Sequence, residues 1–129
     1  MRGYKDNIEK VTEDNTNFRQ VLYTGKHSQL VVMCLGSGEE IGAEVHSDID
    51  QFFRFEVGRG QLVVDDNVYE VQADDAAVVP AGAHHNVINT GDVDLKLYTI
   101  YSPPEHQDGT IHPTKGEAVE EHFDGTTTE

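Results

Sequence analysis

Between residues 18 and 103 the chain is a succession of short runs, rich in β-branched and aromatic residues and broken by turn-forming Gly, Pro, Asn and Asp. FRQVLYTG, SQLVVMCLGSG, GAEVHSD, DQFFRFEVGRG, QLVVDDN, VYEVQADD, AAVVPAG, HNVINTGD and DLKLYTIYSPP follow one another almost without interruption. Strands at such spacing assemble into a sandwich or a barrel. No apolar pattern with a 3.6-residue period persists for three turns, which argues against the crossover helices of a parallel sheet. The expected fold is therefore all-β with antiparallel sheets. LVVDDNVYEV reads as a hairpin in which Asp66 and Asn67 tolerate the left-handed backbone of a tight turn.

A chain of 129 residues has room for one core. Three parts are expected: a polar N-terminal segment over 1–17, the β domain over 18–103, and a tail over 104–129 rich in Pro, Gly, His, Glu and Thr. Within the tail, EAVEEHF (117–123) has the pattern of one or two helical turns, and the final DGTTTE reads as frayed. No segment approaches the roughly 20 apolar residues of a membrane span, so a soluble, cytoplasmic protein is expected. The formal net charge of −15, from 24 acidic residues against 9 Lys plus Arg, repels nucleic acid and anionic lipid surfaces. It keeps a surface solvated, and halophilic adaptation produces the same bias. Cys34, the only cysteine, sits in the apolar run LVVMCL and reads as a buried, inert thiol.

Side chains alternate faces along a strand, so Glu44 and His46 in AEVHS project together. Gln51 follows the polar turn SDID and shares its face with Phe53 and Phe55; the turn can fold it back beside the first two. Some thirty residues later, VVPAGAHHNVIN sets His84 and His85 after a Pro-x-Gly turn, with His85, Val87 and Asn89 on one face and His84 on the other. Taken singly, an inward His in a strand is more often a hydrogen-bonded core residue than a ligand.

Together these pieces resemble the paired motifs of the cupin superfamily, G(X)5HXH(X)3-4E(X)6G and G(X)5PXG(X)2H(X)3N. The first runs here from Gly38 through Glu44, His46 and Gln51 to Gly58, with Glu44 in place of the usual first His and Gln51 in place of the usual Glu. In the second, Asp74 stands at the expected Gly, and Pro80, Gly82, His85 and Asn89 fall in register. The resemblance covers residues 38–89 by motif and implies a jelly-roll β-barrel.

It also implies that Glu44, His46, Gln51 and His85 bind one divalent transition metal inside the barrel. Two imidazoles and one carboxylate are the donor set of non-haem iron centres, and manganese, nickel and zinc suit the same atoms. Gln51 would be a weaker fourth ligand. The implied function is a metal-dependent enzyme, of dioxygenase or isomerase type, that chelates a small polar metabolite directly. Glu44 is the candidate catalytic base, and Phe53, Phe55 and Tyr101 are candidate substrate-binding residues. The alternatives are a non-catalytic sugar- or metabolite-binding module and a phosphomannose-isomerase-like sugar isomerase. Phosphomannose isomerases are cupin relatives with the same donor types in another order, but Arg54, Arg59 and Lys96 form no evident phosphate-binding cluster.

Among the remaining polar residues, Tyr101 either reaches the cavity or caps the rim. Arg54 reads as a surface or interface residue, His84 as an entrance or solvated turn residue, and His106, His112 and His122 as surface. The apolar runs VLYTG, LVVMCL and LKLYTIY exceed what one small barrel interior needs, so a homodimer is expected, with residues 18–24 as a candidate strand crossing to the partner.

Overall fold

The computed structural model describes residues 1–129. Ten strands form: β1 (Arg19–Thr24), β2 (Gln29–Leu35), β3 (Glu44–Val45), β4 (Asp50–Val57), β5 (Arg59–Val64), β6 (Asn67–Gln72), β7 (Ala76–Val79), β8 (His84–Ile88), β9 (Leu95–Ser102) and β10 (Ile111–His112). Two sheets result, ordered β10-β1-β2-β9-β4-β7 and β3-β8-β5-β6, and every pairing is antiparallel. Alternation sorts the side chains of β9 as expected, with Leu95, Leu97, Thr99 and Tyr101 buried between the sheets and Lys96, Tyr98 and Ile100 half-buried outside. Met33, Leu35, Phe53, Phe55, Leu62, Val87 and their neighbours fill the interior as one apolar cluster.

All nine runs become strands, and β10 is the one that pattern reading does not find. The hairpin turn lies one residue earlier than expected. Val64 pairs with Asn67, so Asp65 and Asp66 make the turn, and Asp65 takes the positive φ of 49°. Two motif positions have a backbone explanation. Gly58 has φ 83°, and a Cβ there would meet the Asp94 carbonyl oxygen at 2.5 Å. Asp74, standing where the motif has Gly, takes φ 76° and accepts a hydrogen bond from Arg54 Nη2 at 3.1 Å. The left-handed backbone is thus kept without glycine; Asp is among the few residues that tolerate it.

The polar flanks are built into the sandwich. A helix, α1 (Ile8–Asp14), is capped by Asn7, whose side chain accepts from Lys10 N. It packs on the outer face of β2, β4 and β9, where Lys96 Nζ donates to Glu13 O at 2.6 Å, and Val32 and Cys34 are buried on that face. In the tail, β10 pairs with β1, and Gln29 ties down the chain before it through bonds to His106 O, His106 N and Glu105 N. The expected helix over 117–123 does not form. A single 3-10 turn at Lys115–Glu117 gives way to extended chain, and His106 bridges His122. The final residues are also docked, by Thr128 N on Thr24 O at 2.9 Å and Tyr23 Oη on Glu129 at 2.7 Å. No helix is long and apolar enough to cross a membrane.

Two outcomes follow from this packing. Gly58→Ala should lose about 2 kcal/mol or more of stability, since it combines a disfavoured φ with a backbone clash; an unchanged urea midpoint would contradict the close approach. Burial, with Asp94 nearby, pushes the Cys34 thiol up to about 11. At pH 8 only about one thiol in a thousand is then ionised, so disulfide-exchange labelling should be complete only after unfolding.

Candidate metal centre

Strand register assembles the site. The β3–β8 pairing sets Glu44 directly opposite His85, and the β4–β9 pairing sets Gln51 opposite Tyr101. His46 follows β3 by one residue, and its carbonyl accepts from Gly82 N at 2.8 Å. Asp50 Oδ1 accepts from Ala81 N at 2.8 Å. These two bonds tie the SDID turn to the Pro80–Gly82 turn, so the segments bearing His46 and His85 are held together. Donor atoms of Glu44, His46 and His85 all lie within 4.8 Å of one another, and this group could hold a metal ion.

The hydrogen bonds leave the right lone pairs free. His85 Nδ1 lies 3.3 Å from Ala83 O, a carbonyl that can only accept, so Nε2 is the ring's free donor atom. His46 Nδ1 lies 3.4 Å from Glu105 Oε2, which orients that ring in the same sense. His46 Nε2 is 2.9 Å from Glu44 Oε2, yet it has no aligned hydrogen-bond partner. Two donors this close, aimed past each other, are disposed like two ligands of one ion.

Gln51 is only 3% exposed. Its Nε2 donates to Thr99 Oγ1 at 3.0 Å, and that hydroxyl donates to Phe52 O at 2.8 Å, so the amide cannot turn over. Its Oε1 is left buried with no partner. A buried acceptor without a partner costs about 1–3 kcal/mol, which a cation ligated there would offset. The donor set and the orphaned oxygen both fit a divalent metal.

Charges around the site are set by contact and burial. Burial opposes ionisation of Glu44, but the adjacent His46 outweighs it and holds the carboxyl below the usual carboxylate range, with help from Arg19 and His85. Contact with Glu44 raises His46, while burial lowers His85. Tyr101, 2% exposed, sits edge-on to His46 at 6.1 Å between ring centres, with its hydroxyl 3.2 Å from His106 Nε2. Burial pushes its phenol up, so it stays protonated.

A cleft of about 480 Å³ opens beside this group and is lined by Glu44 and His46. Phe53 and Phe55 do not line it, contrary to expectation. Both are fully buried in the core, Phe53 6.3 Å from the His85 ring and Phe55 stacked behind Phe53, because the strand face they share points into the sandwich below the site. Tyr101 faces inward as parity requires and stands behind His46 rather than on the cleft wall. Arg54 is on the outer face with Glu56 and Asp74, and His84 is exposed.

Two of the three tail histidines are not surface residues. His112 is buried beneath Arg19 at the β1–β10 pairing, and His106 is packed against Tyr101, its imidazole pushed down to about 3 by burial. His122 is exposed but reaches Glu105 at 2.8 Å. Sequence reasoning passes over Arg19, Glu105 and Lys115, which line the cleft together with His106. Parity with buried Val21 was the available signal for Arg19; residues of the tail carry none.

The cupin domain model matches residues 31–101, more than half of the chain, and the protein belongs to the cupin family. An uncharacterized Bacillus subtilis protein, YrkC, is 52% identical over 122 residues, which cover 88% of this chain and 64% of that protein. The chain thus spans just under two thirds of that relative's length. An uncharacterized mimivirus protein, L612 of Acanthamoeba polyphaga mimivirus, is 39% identical over 112 residues, 84% of this chain and 70% of its own. The crystal structure of BH2720 from Bacillus halodurans superposes with a TM-score of 0.88 at 45% identity, covering 89% of this chain and 92% of the other.

Proposed function

We propose that the protein is a metal-dependent enzyme that holds one divalent transition metal on Glu44, His46 and His85, with Gln51 as a weaker fourth ligand, and acts on a small polar metabolite entering by the cleft. The carrying observation is the convergence of three donors within 4.8 Å, two of which, Glu44 and His46, line an open cleft. A cation in this set supplies Lewis acidity toward a substrate carbonyl or hydroxyl and, if it is iron, oxygen chemistry. Glu105 and the Ala83 carbonyl hold the two imidazoles so that Nε2 of each faces the centre. Thr99 fixes the Gln51 amide. Glu44 is a third exposed at its side chain and faces the cleft, so it is placed to take a proton from substrate when it is not ligating.

The charge of the cleft bears on the sugar-phosphate reading. Arg19 and Lys115 line it, but so do Glu44, Glu105, Glu120 and Glu121, which disfavours a phosphate dianion. A neutral or singly charged metabolite suits this wall better. Oxygen uptake on addition of substrate marks dioxygenation, turnover without it marks isomerisation, and metal retention without turnover on any screened metabolite would make the barrel a binding module.

The outer face of the larger sheet supports a homodimer. Leu30, Ile100, Phe52 and Val78 are paired in register across β2, β9, β4 and β7, and they form an apolar row beside the Phe52–Tyr98 ring pair. Val78 is 66% exposed. A second copy brought face to face would cover this row symmetrically.

Elemental analysis of freshly purified protein should find about one divalent transition metal per chain, and His46→Ala with His85→Ala should abolish it. Full metal content in the double variant would sink the assignment. In a chelator competition, Gln51→Ala should weaken binding by roughly tenfold and His46→Ala by more, since water can replace an amide oxygen; equal losses would make Gln51 an equal ligand. Light scattering at micromolar concentration and moderate salt, which screens the −15 charge, should give about twice the 14.3 kDa chain mass, and Ile100→Lys should halve it. A wild-type mass near that of one chain would exclude a stable dimer.

A further inference from the structure

Arg19 presents a problem of charge. It is 7% exposed, on β1, paired in register with His112 of β10 and Met33 of β2. Its Nη1 lies 3.4 Å from His112 Nδ1, a ring that burial keeps neutral, and its Nε has no hydrogen-bond partner. None of the molecule's ion pairs includes it. The guanidinium sits 5.1 Å from the Phe18 ring centre, which offers a face but no counter-charge. Yet this chain carries 24 acidic residues. Of the four carboxylates that share its cleft, Glu44 is turned to His46 and Glu105 to His46 and His122, and neither Glu120 nor Glu121 pairs with it.

A buried cation without an anion is costly, and proteins retain one where a ligand completes the pair. The planar fork of a guanidinium matches a carboxylate in two parallel hydrogen bonds. Arg19 lines the same cleft as Glu44 and His46, and its charge contributes at both. A molecule that spans the two groups needs a carboxylate at one end and a chelating oxygen close to it.

We propose that Arg19 is the substrate-anchoring residue of this cleft and that its ligand is a small 2-oxo or 2-hydroxy carboxylic acid, with the carboxylate on Arg19 and the neighbouring oxygen toward Glu44, His46 and His85. The placement of that second oxygen rests on the metal reading above. The Arg19–carboxylate pair does not. Arg19 and Lys115 face four carboxylates across this cleft, which favours a monoanion over a dianion, and the cleft of about 480 Å³ has ample room for such an acid. Anchoring by a rigid fork would also fix which oxygen faces the metal-binding group, so Arg19 would set orientation as well as affinity.

The test is calorimetric titration of pyruvate, L-lactate and the neutral pyruvamide into the purified protein with its native metal, for wild type, Arg19→Lys and Arg19→Met. Wild type should bind at least one of the two acids and prefer pyruvate to pyruvamide by tenfold or more. Arg19→Met should lose that preference, and Arg19→Lys should keep part of it. The ligand-free melting temperature of Arg19→Met should be equal or higher, because Met fills the same volume without an unpaired charge. Failure of wild type to bind either acid, equal binding of pyruvate and pyruvamide by wild type, or a preference that survives in Arg19→Met would overturn the proposal; so would a large fall in that melting temperature, which would assign Arg19 to the fold. Should Arg19→Met not fold, that too assigns it to the fold, and the proposal fails. The His46→Ala, His85→Ala double variant separates this inference from the metal reading. Loss of affinity with the acid-over-amide preference intact supports both, whereas unchanged affinity removes the metal reading and leaves the Arg19 pair standing.

Discussion

Two cross-strand pairs at one end of the sandwich determine what this protein can do. Glu44 faces His85 in the smaller sheet, and Gln51 faces Tyr101 in the larger. A slip of one residue in either pairing would turn its whole set of side chains to the opposite face. The register is protected by what lies further along the same strands, where Phe53, Phe55, Leu97 and Val87 are fully buried. The donors are therefore held by the packing of the core below them. The bond from Gly82 N to His46 O then clamps the loops above, where the strands themselves no longer constrain the chain.

Within that frame the polar groups are arranged so that they could hold a cation. Glu44 and His46, held 2.9 Å apart, are mutually stabilised in their charged forms. Were Glu44 and His46 to hold a divalent ion, His46 would have to give up its proton, so binding would be coupled to pH. Gln51 differs in kind. Its carbonyl has no protonation state through which to adapt, and with the amide pinned on Thr99 its oxygen stays unsatisfied until something positive reaches it.

The alternation of apolar residues made nine of the ten strands legible, together with the inward direction of Tyr101 and the shared face of Glu44 and His46, because period-two patterning reports burial directly. Motif spacing added Gly58 and Asp74, whose positive φ values show why those two positions are restricted. Legibility ended where contacts are non-local. The strand β10 has two residues, too few for any pattern, and exists because β1 offers it an edge. His106 and His112 read as surface because they sit among polar residues, but the tail folds back over Gln29 and Arg19 and removes them from water. For Phe53 and Phe55 parity gives the correct face but not the depth at which they lie. Parity gives a side chain's direction and not its height along the barrel axis.

This division between what is local and what is not has a functional counterpart. The side chains that could hold a metal come from strands and turns between residues 44 and 85, where spacing along the chain enforces their convergence. The cleft walls come from both ends of the described chain, with Phe18 and Arg19 on one side and residues from Glu105 to His122 on the other. These walls are joined by the short β1–β10 pairing and by bonds such as Val21 N to Thr110 O at 2.9 Å. A change in the tail beyond Glu105, which orients the His46 ring, can thus reshape what enters the cleft while the candidate donors stay fixed by the core. Selectivity and metal affinity are on this view separately adjustable, which is how one barrel can be turned to different small molecules while its centre stays the same.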